Sequence, residues 1–198
     1  MSAFSAIADR RSIRKFKPDP IPRETMEKIL RAGMLAPSSK NGQPWRFVVV
    51  EGGAKRAMLD AISTGLAQLA ADPAMAPMEM YARGARHTMA IMEQAPATVF
   101  VINPLGTMAE MPHNWSERLY ELANVQSVGA CIQNMLLTAW ELSVGSLWNC
   151  DIYFAYEQMA QWLQTGEQIV AAVSFGIPDE APGPRPRKCL SDSVEWQQ

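Results

Sequence analysis

The sequence has few of the residues on which most metal and nucleophilic chemistry depends. Its 198 residues include three cysteines and two histidines. Cys131, Cys150 and Cys189 form no CxxC pair, and their odd number argues against a disulfide framework, so a reducing compartment such as the cytoplasm is expected. His87 and His113 have no neighbours that complete a metal-ligand set, and both are interpreted as surface or capping residues. No metal site is therefore predicted.

Sequence signals for several other classes of protein are absent as well. No apolar run approaches the roughly 20 residues that span a bilayer, and the first residues lack a signal-peptide pattern, so no membrane partner is expected. The motifs GxGxxG, GxxxxGK[ST], HExxH and GxSxG do not occur, which disfavours a Rossmann site and the corresponding phosphate, metal and serine chemistries. Because histidine, the commonest general acid–base residue, is also scarce, we expect a bound cofactor to supply the reactive group.

Positive charge is concentrated in two short segments of a chain whose formal net charge is −2. The first 31 positions hold eight of the 18 basic residues, namely Arg10, Arg11, Arg14, Lys15, Lys17, Arg23, Lys28 and Arg31. A second group, RPRK, spans Arg185–Lys188. The sequence pI of about 5.7 disfavours a nucleic-acid surface, since such domains usually carry an overall basic face. Two local basic clusters indicate a site for a small anion, with a solvated turn as the alternative for RRSIRKF alone.

The hydrophobic pattern predicts helices and strands in a single domain over residues 1–198. Helices are expected over Ala3–Asp9, Pro22–Ala36, Ala54–Ala70, Glu79–Gln94, Ser116–Leu142 and Tyr156–Leu163. Strands are expected over Trp45–Glu51, Ala97–Asn103, Val144–Asn149 and Gln168–Phe175, with an extended segment at Ile13–Lys17. The fifth helix is apolar on nearly all sides in its middle, which indicates a central, buried helix. Residues Ala181–Gln198 are expected to form an extended C-terminal tail.

The loop APSSKNGQPW, Ala36–Trp45, is rich in hydrogen-bonding groups and rigid at both ends. Pro37 ends the preceding helix, and Pro44 leads into the following strand. The donors and acceptors are the hydroxyl groups of Ser38 and Ser39 and the amide of Asn41. Gly42 permits a positive φ angle. These residues suit a binding site for a heterocycle or a polyol, and they equally suit a plain polar turn.

Four segments in order resemble the nitroreductase family of FMN-dependent oxidoreductases. They are RRSIR at Arg10–Arg14 followed by APSSKNGQPW, then GSLWNCD at Gly145–Asp151, the strand IVAAVSFGIPDE, and the tail RPRKCL leading into VEW. The resemblance covers essentially the whole chain, except that residues 72–115 match no part of the family pattern. This methionine-rich region is expected to be a variable lid that forms part of the substrate wall.

The resemblance implies a fold and an assembly. The expected fold is an α+β sandwich in which a mixed central sheet is flanked by helices. The expected assembly is a homodimer whose chains exchange terminal segments, with two FMN sites at the interface. A small-molecule acceptor is the implied further partner, and no nucleic acid is expected.

The resemblance also implies an FMN-binding role for particular residues. Arg10, Ser12 and Arg14 match positions that bind the phosphate, the ribityl chain and the flavin N1–O2 edge, with Arg11 between them where members vary. Pro37, Ser38, Ser39 and Asn41 match a loop that the other subunit contributes. Arg185 and Arg187 match tail cations that close on the phosphate, with Lys188 as the alternative one position away.

The turn at Cys150 and Asp151 matches the segment that passes the flavin face and gives a backbone N–H to flavin N5. Many members carry glycine in this turn, so the choice between the two residues stays open. Cys150 is interpreted as a small buried hydrophobic residue rather than a redox thiol. The amides of Gln68 and Gln126 are further candidates for facing the flavin.

The activity implied is hydride transfer from NAD(P)H through flavin N5 to a nitroaromatic, a quinone or a related acceptor, by a ping-pong mechanism. No side chain is assigned a catalytic role, because the flavin carries the chemistry. The alternatives are a specialised relative, such as a reductive dehalogenase or a flavin-fragmenting enzyme, and a flavin-binding protein without turnover.

Overall fold

The computed structural model describes residues 3–106 and 114–197 and contains six α-helices and four β-strands in this part of the chain. The helices are α1 Ala3–Asp9, α2 Arg23–Met34, α3 Ala54–Ala71, α4 Glu79–Gln94, α5 Trp115–Glu141 and α6 Tyr156–Trp162. The strands are β1 Arg46–Glu51, β2 Ala97–Asn103, β3 Gly145–Asn149 and β4 Gln168–Gly176. Short 3-10 turns cover Ser39–Asn41, Pro73–Met78, Asp151–Ala155 and Leu190–Asp192.

Each helix and strand expected from the sequence is confirmed, with ends that differ by at most two residues. The clearest difference is at the start of α2, where Pro22 is the N-cap and not the first helical residue. The helix also ends at Met34, before the expected end at Ala36, because the chain turns at Leu35. Hydrophobic periodicity therefore located the elements well, and only their first or last one or two residues differ from the prediction.

The four strands form one sheet in the order β1-β2-β4-β3. All three neighbouring pairs of strands are antiparallel. The prediction of a mixed sheet is therefore wrong for β1–β4. Among the described residues, parallel pairing occurs only at an isolated bridge between Ser12 and Ser146. The N-terminal segment does not continue along β3, because its later backbone hydrogen bonds join Lys15 to Asp179 (2.9 Å) and Lys17 to Ile177 (2.9 Å), beyond the end of β4.

Helices cover both faces of the sheet, which confirms the α+β sandwich. Helices α2 and α5 pack on one face, where Ile132 and Met135 meet Val99 and Val173 in a buried cluster. Helices α3, α4 and α6 pack on the other face around Phe100 and Ile102, in a second cluster completed by Met58, Ile62, Met92 and Met159. The middle of α5 is buried, as its apolar composition indicated.

Two glycines at the edge of the sheet bring the N-terminal segment close to β3. A Cβ atom on Gly145 would lie 3.0 Å from Ile13, and one on Gly176 would lie 2.7 Å from the ring of Phe16. Ile13 and Phe16 are both buried, so they anchor the segment that carries the first basic cluster. The packing thereby fixes Arg10–Arg14 beside the start of β3.

Candidate functional site

The N-terminal and C-terminal basic segments meet in one cleft of about 360 Å³, here called the arginine cleft. Its polar lining consists of Arg10, Arg11, Ser12, Arg14, Arg185 and Arg187. The rest of the lining comes from the end of α1 and from Pro182–Pro184 of the tail. The C-terminal tail therefore lies against the N-terminal segment at this cleft. The structure therefore brings together the two clusters that the sequence keeps far apart.

Backbone hydrogen bonds hold the two segments side by side. Ile13 N donates to the carbonyl of Ser146 (3.0 Å), and Asp179 N donates to the carbonyl of Lys15 (2.9 Å). The carboxylate of Glu180 accepts a hydrogen bond from Arg14 N. Because Ile13 points into the core, its neighbours in this extended segment point to the opposite side, toward the cleft.

The arginine cleft has a strong excess of positive charge. The pKa of Arg10 is lowered, first by burial and then by the nearby charges of Arg187 and Arg11. None of the five arginines of the cleft forms an ion pair with the described part of the chain. An anion bound among them would relieve this repulsion and would accept charge-assisted hydrogen bonds.

Arg11 differs from the other arginines of the cleft because its guanidinium group already serves the fold. Its Nη1 donates to the carbonyls of Ala8 (2.8 Å) and Arg10 (2.9 Å) at the end of α1. A cation that bonds the last carbonyls of a helix acts as a C-terminal cap. Arg187 Nη1 also donates to backbone carbonyls, those of Pro186 (3.3 Å) and Arg185 (3.4 Å), but these belong to the tail and not to the end of a helix.

The loop after α2 adopts a strained conformation that its glycine does not explain. Positive φ angles occur at Lys40 (51°), Asn41 (55°) and Gln43 (46°), whereas Gly42 has a φ of −68°. Gly42 would permit a positive φ angle, but it does not adopt one. Non-glycine residues in this region cost energy and cluster at ligand-binding sites.

Side-chain hydroxyls hold this strained loop in place. Ser38 Oγ accepts from Gln43 N (3.0 Å), and Ser39 N donates to Ser127 Oγ on α5 (3.3 Å). None of the predicted loop residues Pro37, Ser38, Ser39 and Asn41 lines the arginine cleft of the same chain. A single chain thus presents two separate parts of the predicted site.

The turn that follows β3 is tied to the core from both sides. Asn149 Nδ2 donates to Ser174 Oγ on β4 (2.9 Å), and Thr88 Oγ1 on α4 donates to the carboxylate of Asp151. Tyr153 N donates to the carbonyl of Cys150 (3.1 Å), which closes the turn. Cys150 lies between these anchors, about 13 Å along β3 from the Ser146 bridge at the usual rise per residue.

Cys150 is exposed, so its interpretation as a buried hydrophobic residue is wrong. It directly follows the last residue of β3, whereas Cys131 on α5 is buried in the core. The turn still removes water from the sulfur, and this desolvation raises the pKa of Cys150. The charge of Asp151 raises it further, while a hydrogen bond with Trp148 lowers it.

The two glutamines suggested by the sequence lie outside the arginine cleft. Gln68 is on α3, and its Oε1 accepts a hydrogen bond from Gln158 Nε2 on α6. Gln126 is exposed on α5. Sequence reasoning also missed Thr88, Asn149 and Glu180, because each acts through a partner distant in the chain and none belongs to a recognisable motif.

Comparison with known proteins gives the family. The sequence model of the Nitroreductase family matches residues 7–177. The chain belongs to the nitroreductase family. The match extends from α1 to the end of β4, so it includes the first basic cluster, the strained loop and the turn after β3.

Relatives of this family member span nearly its whole length. The Bacillus subtilis protein YfhC, which carries the name of an NAD(P)H nitroreductase, is 29% identical over 94% of this chain and 89% of its own. The 5,6-dimethylbenzimidazole synthase of Rhodospirillum rubrum is 32% identical over 86% of this chain and 79% of its own. A nitroreductase of Desulfovibrio desulfuricans, solved in complex with FMN, is 25% identical, covers 100% of this chain and 98% of its own, and superposes with a TM-score of 0.75.

The described residues of this family member form neither a metal-ligand cluster nor a helix suited to cross a membrane. In residues 3–106 and 114–197, no three of the side chains of His, Cys, Asp and Glu come together as a metal-ligand set. His87 is exposed on α4, as expected, and His113 lies outside the described residues. Over the same ranges, no helix has the length and apolarity needed to cross a membrane.

Proposed function

We propose that this member of the nitroreductase family is an FMN-dependent enzyme that transfers hydride from NAD(P)H to a nitroaromatic, a quinone or a related small acceptor. The observation that carries the proposal is the arginine cleft, in which both basic segments surround one space. Similarity to a nitroreductase solved with FMN and to a relative named for NAD(P)H supports the choice of cofactor and donor.

The residues of the cleft fit the phosphate group of FMN. A phosphate monoester carries about 1.5 to 2 negative charges at pH 7, and planar guanidinium groups bind such a group through paired hydrogen bonds. Arg10, Arg185 and Arg187 are the candidates for this role, with the hydroxyl of Ser12 beside them. Arg11 contributes charge, since its Nη1 is already used at the end of α1.

FMN, when bound, supplies the hydride chemistry that the side chains lack. Arg14 is assigned to the flavin N1–O2 edge, where its positive charge favours negative charge on the bound group. The backbone N–H of Cys150 or Asp151 would donate a hydrogen bond to flavin N5 when FMN is bound. The tethers from Thr88 and Asn149 hold this turn still, so its N–H keeps one orientation.

Donor and acceptor are proposed to react with the flavin one after the other, which implies ping-pong kinetics. Initial rates of NADH or NADPH oxidation with menadione at several fixed acceptor concentrations test this. Parallel lines in the double-reciprocal plot are expected. Intersecting lines together with a detectable ternary complex would contradict this order of reaction.

A homodimer with shared sites is part of the proposal. The strained loop lies away from the arginine cleft of its own chain, so a second chain is proposed to supply it. Several large apolar side chains are exposed on the single chain, and an interface that covered them would gain free energy from their burial. They include Phe4 (81% exposed), Leu35 (83%) and Trp196 (82%).

A second candidate function is oxidative breakdown of reduced flavin. The similarity to the 5,6-dimethylbenzimidazole synthase of Rhodospirillum rubrum favours it, because that relative is more identical than the nitroreductases compared above. Incubation of the protein with reduced FMN and oxygen, followed by chromatography, separates the two functions. Formation of 5,6-dimethylbenzimidazole would replace the first proposal, whereas sustained NAD(P)H oxidation with a quinone supports it.

The test of cofactor binding is direct. Purified protein should be yellow and should release FMN when it is denatured. Protein that stays colourless after addition of FMN would contradict the proposal. Turnover with a panel of nitroaromatic and quinone acceptors then separates an enzyme from a flavin-binding protein without activity. A cytoplasmic location is proposed alongside, with support from three cysteines that form no disulfide.

A further inference from the structure

A groove of about 770 Å³ lies beside the turn that follows β3 and is separate from the arginine cleft. Its walls are the second half of α3, the Asp72–Met75 segment, the residues Tyr153 and Phe154, α6, and the loop at 165–167. A groove of this volume falls within the range of small-molecule sites. We call it the tyrosine groove, after Tyr153 and Tyr156 in its lining.

The two tyrosine rings of the groove are fixed in a stacked pair. Their centroids are 6.1 Å apart, with an angle of 16° between the ring planes. Tyr153 Oη donates to the carbonyl of Val170 (2.6 Å), and Tyr156 Oη accepts from Ile169 N (3.0 Å). Both hydroxyls therefore face β4, and the two rings, stacked on each other, line the groove. Flat aromatic molecules stack on surfaces of this kind.

The charge of the tyrosine groove is opposite to that of the arginine cleft. Its lining includes the carboxylates of Asp72, Glu157 and Glu167, and among the residues that the structure describes it contains no lysine, arginine or histidine. Glu167 is neutralised by an ion pair with Arg46. Glu157 is exposed and forms no ion pair with the described part of the chain. Two carboxylates beside aromatic rings favour a positively charged aromatic ligand over a negatively charged one.

The position of the groove connects it with the proposed chemistry. Tyr153 belongs to the turn whose start is Cys150, and its backbone N–H closes that turn. The groove therefore shares this turn with the residues assigned to flavin N5, although Cys150 and Asp151 do not themselves line it. Asp72 and Met75, from the region expected to form a substrate wall, line it on the opposite side.

We propose that the tyrosine groove binds the electron acceptor, and that it takes flat aromatic molecules that are cationic or neutral in preference to carboxylated ones. This inference depends on the proposed oxidoreductase function only where it identifies the bound molecule as the electron acceptor. The charge preference of the groove follows from its own lining and holds whether or not turnover occurs.

The experiment is equilibrium dialysis of FMN-loaded protein against three matched probes at about pH 8, where the carboxylates are ionised. The probes are N-methylacridinium, acridine and acridine-9-carboxylate. The cation is expected to bind about fivefold or more tighter than the anion, with acridine between them. The double variant Asp72→Asn, Glu157→Gln should bind the cation about fivefold more weakly and acridine with unchanged affinity. Asp60→Asn, which removes a carboxylate of α3 outside the groove, is the matched control.

Equal binding of the three probes, no binding of any probe, or an unchanged cation affinity in the double variant would overturn the proposal. The acceptor role has its own test, since N-methylacridinium should inhibit menadione reduction competitively. Binding without competition would place the acceptor elsewhere. Wild-type protein that holds FMN but oxidises no NAD(P)H with any acceptor would refute the proposed function instead, and the dialysis result would still report on the groove.

Discussion

Arg10 is the side chain in the cleft whose charge is most clearly opposed by its surroundings, since burial and two neighbouring arginines all lower its pKa. An FMN phosphate would remove that penalty, so the substitution Arg10→Ala, Arg14→Ala or Arg187→Ala should weaken FMN binding. Loss of one hydrogen bond to a charged group corresponds to about 1.5–3 kcal/mol in binding free energy. Titration calorimetry with FMN measures this.

The control for these variants is Arg23→Ala. Arg23 is on the exposed face of α2, where it pairs with Glu27 at 3.1 Å and lies outside the cleft. FMN affinity should stay within error of the wild type. If all four variants bind FMN equally well, the phosphate site has been misplaced.

Cys150 offers a second prediction at the scale of a single residue. Its pKa is raised above the ordinary value of 9.0, first by desolvation and then by the charge of Asp151. Because the thiolate is the reactive form, alkylation by iodoacetamide in FMN-free protein should be slow at neutral pH and should rise with a midpoint above pH 9.0. Asp151→Asn should move that midpoint to lower pH. Peptide mapping by mass spectrometry in a Cys189→Ser background follows this one thiol.

Cys131 is the internal control for the alkylation experiment. It is buried in α5, and desolvation raises its pKa to about 12, so it should stay unlabelled until the protein unfolds. FMN should slow labelling of Cys150 if the turn meets the flavin. A midpoint below pH 9.0 in the wild type would contradict the electrostatic account.

Residues of the cleft could be predicted from the sequence because they lie in two local clusters. RRSIR and RPRK are visible as charge alone, and the structure brings both to one cleft. The special role of Arg11 could not be predicted, because it depends on where α1 ends and on which carbonyls remain free there. The tie from Glu180 to Arg14 N depends on the path of the tail, which local sequence does not specify.

Between elements, the hydrogen bond from Thr88 to Asp151 links α4 with the turn after β3. Thr88 is buried, so Thr88→Val leaves the carboxylate without this donor and should lower the free energy of unfolding by about 1–3 kcal/mol. It should also weaken FMN binding, because the turn loses one of its tethers. Thr88→Ser keeps the hydroxyl and should restore FMN affinity. Urea unfolding and FMN titration give the two quantities.

Thr64→Val is the matched control for this tie. Thr64 Oγ1 donates to the carbonyl of Asp60 on the exposed face of α3 (2.8 Å), so its loss should change the free energy of unfolding by less than about 0.5 kcal/mol. FMN affinity should not change. Equal effects of the two valine variants would mean that the Thr88 tie has no special role.

Helices and strands could be predicted because each carries its own hydrophobic period, as α5 does with its apolar middle. Pairing between strands carries no such local signal. The four strands pair antiparallel, and the N-terminal segment adds no parallel strand to them, since Lys17 pairs with Ile177 instead of extending along β3. The conformation of the loop after α2 could not be predicted from local sequence either. Its positive φ angles occur at Lys40, Asn41 and Gln43 and not at Gly42, and hydrogen bonds to the hydroxyls of Ser38 and of Ser127 on α5 hold the loop.

At the scale of the whole molecule, the two halves of the proposed FMN site lie apart on one chain. The arginine cleft is built by both termini, and the strained loop is anchored to Ser127 on α5 instead. If a partner chain supplies the loop, then the protein should be a dimer by light scattering. The double variant Ser39→Ala, Asn41→Ala should then lose FMN as the arginine variants do.

Mixed dimers give the decisive form of this prediction. One chain carries Arg10→Ala with Arg14→Ala, and the other carries Ser39→Ala with Asn41→Ala. If sites are shared, one site of the mixed dimer combines both defects, while the other combines the intact arginines of one chain with the intact loop of its partner. Refolding the two chains together should therefore restore one FMN per mixed dimer, although each parent dimer binds FMN weakly. If each chain built its own site, both sites of the mixed dimer would stay defective. A monomer that binds FMN stoichiometrically would contradict the shared site outright.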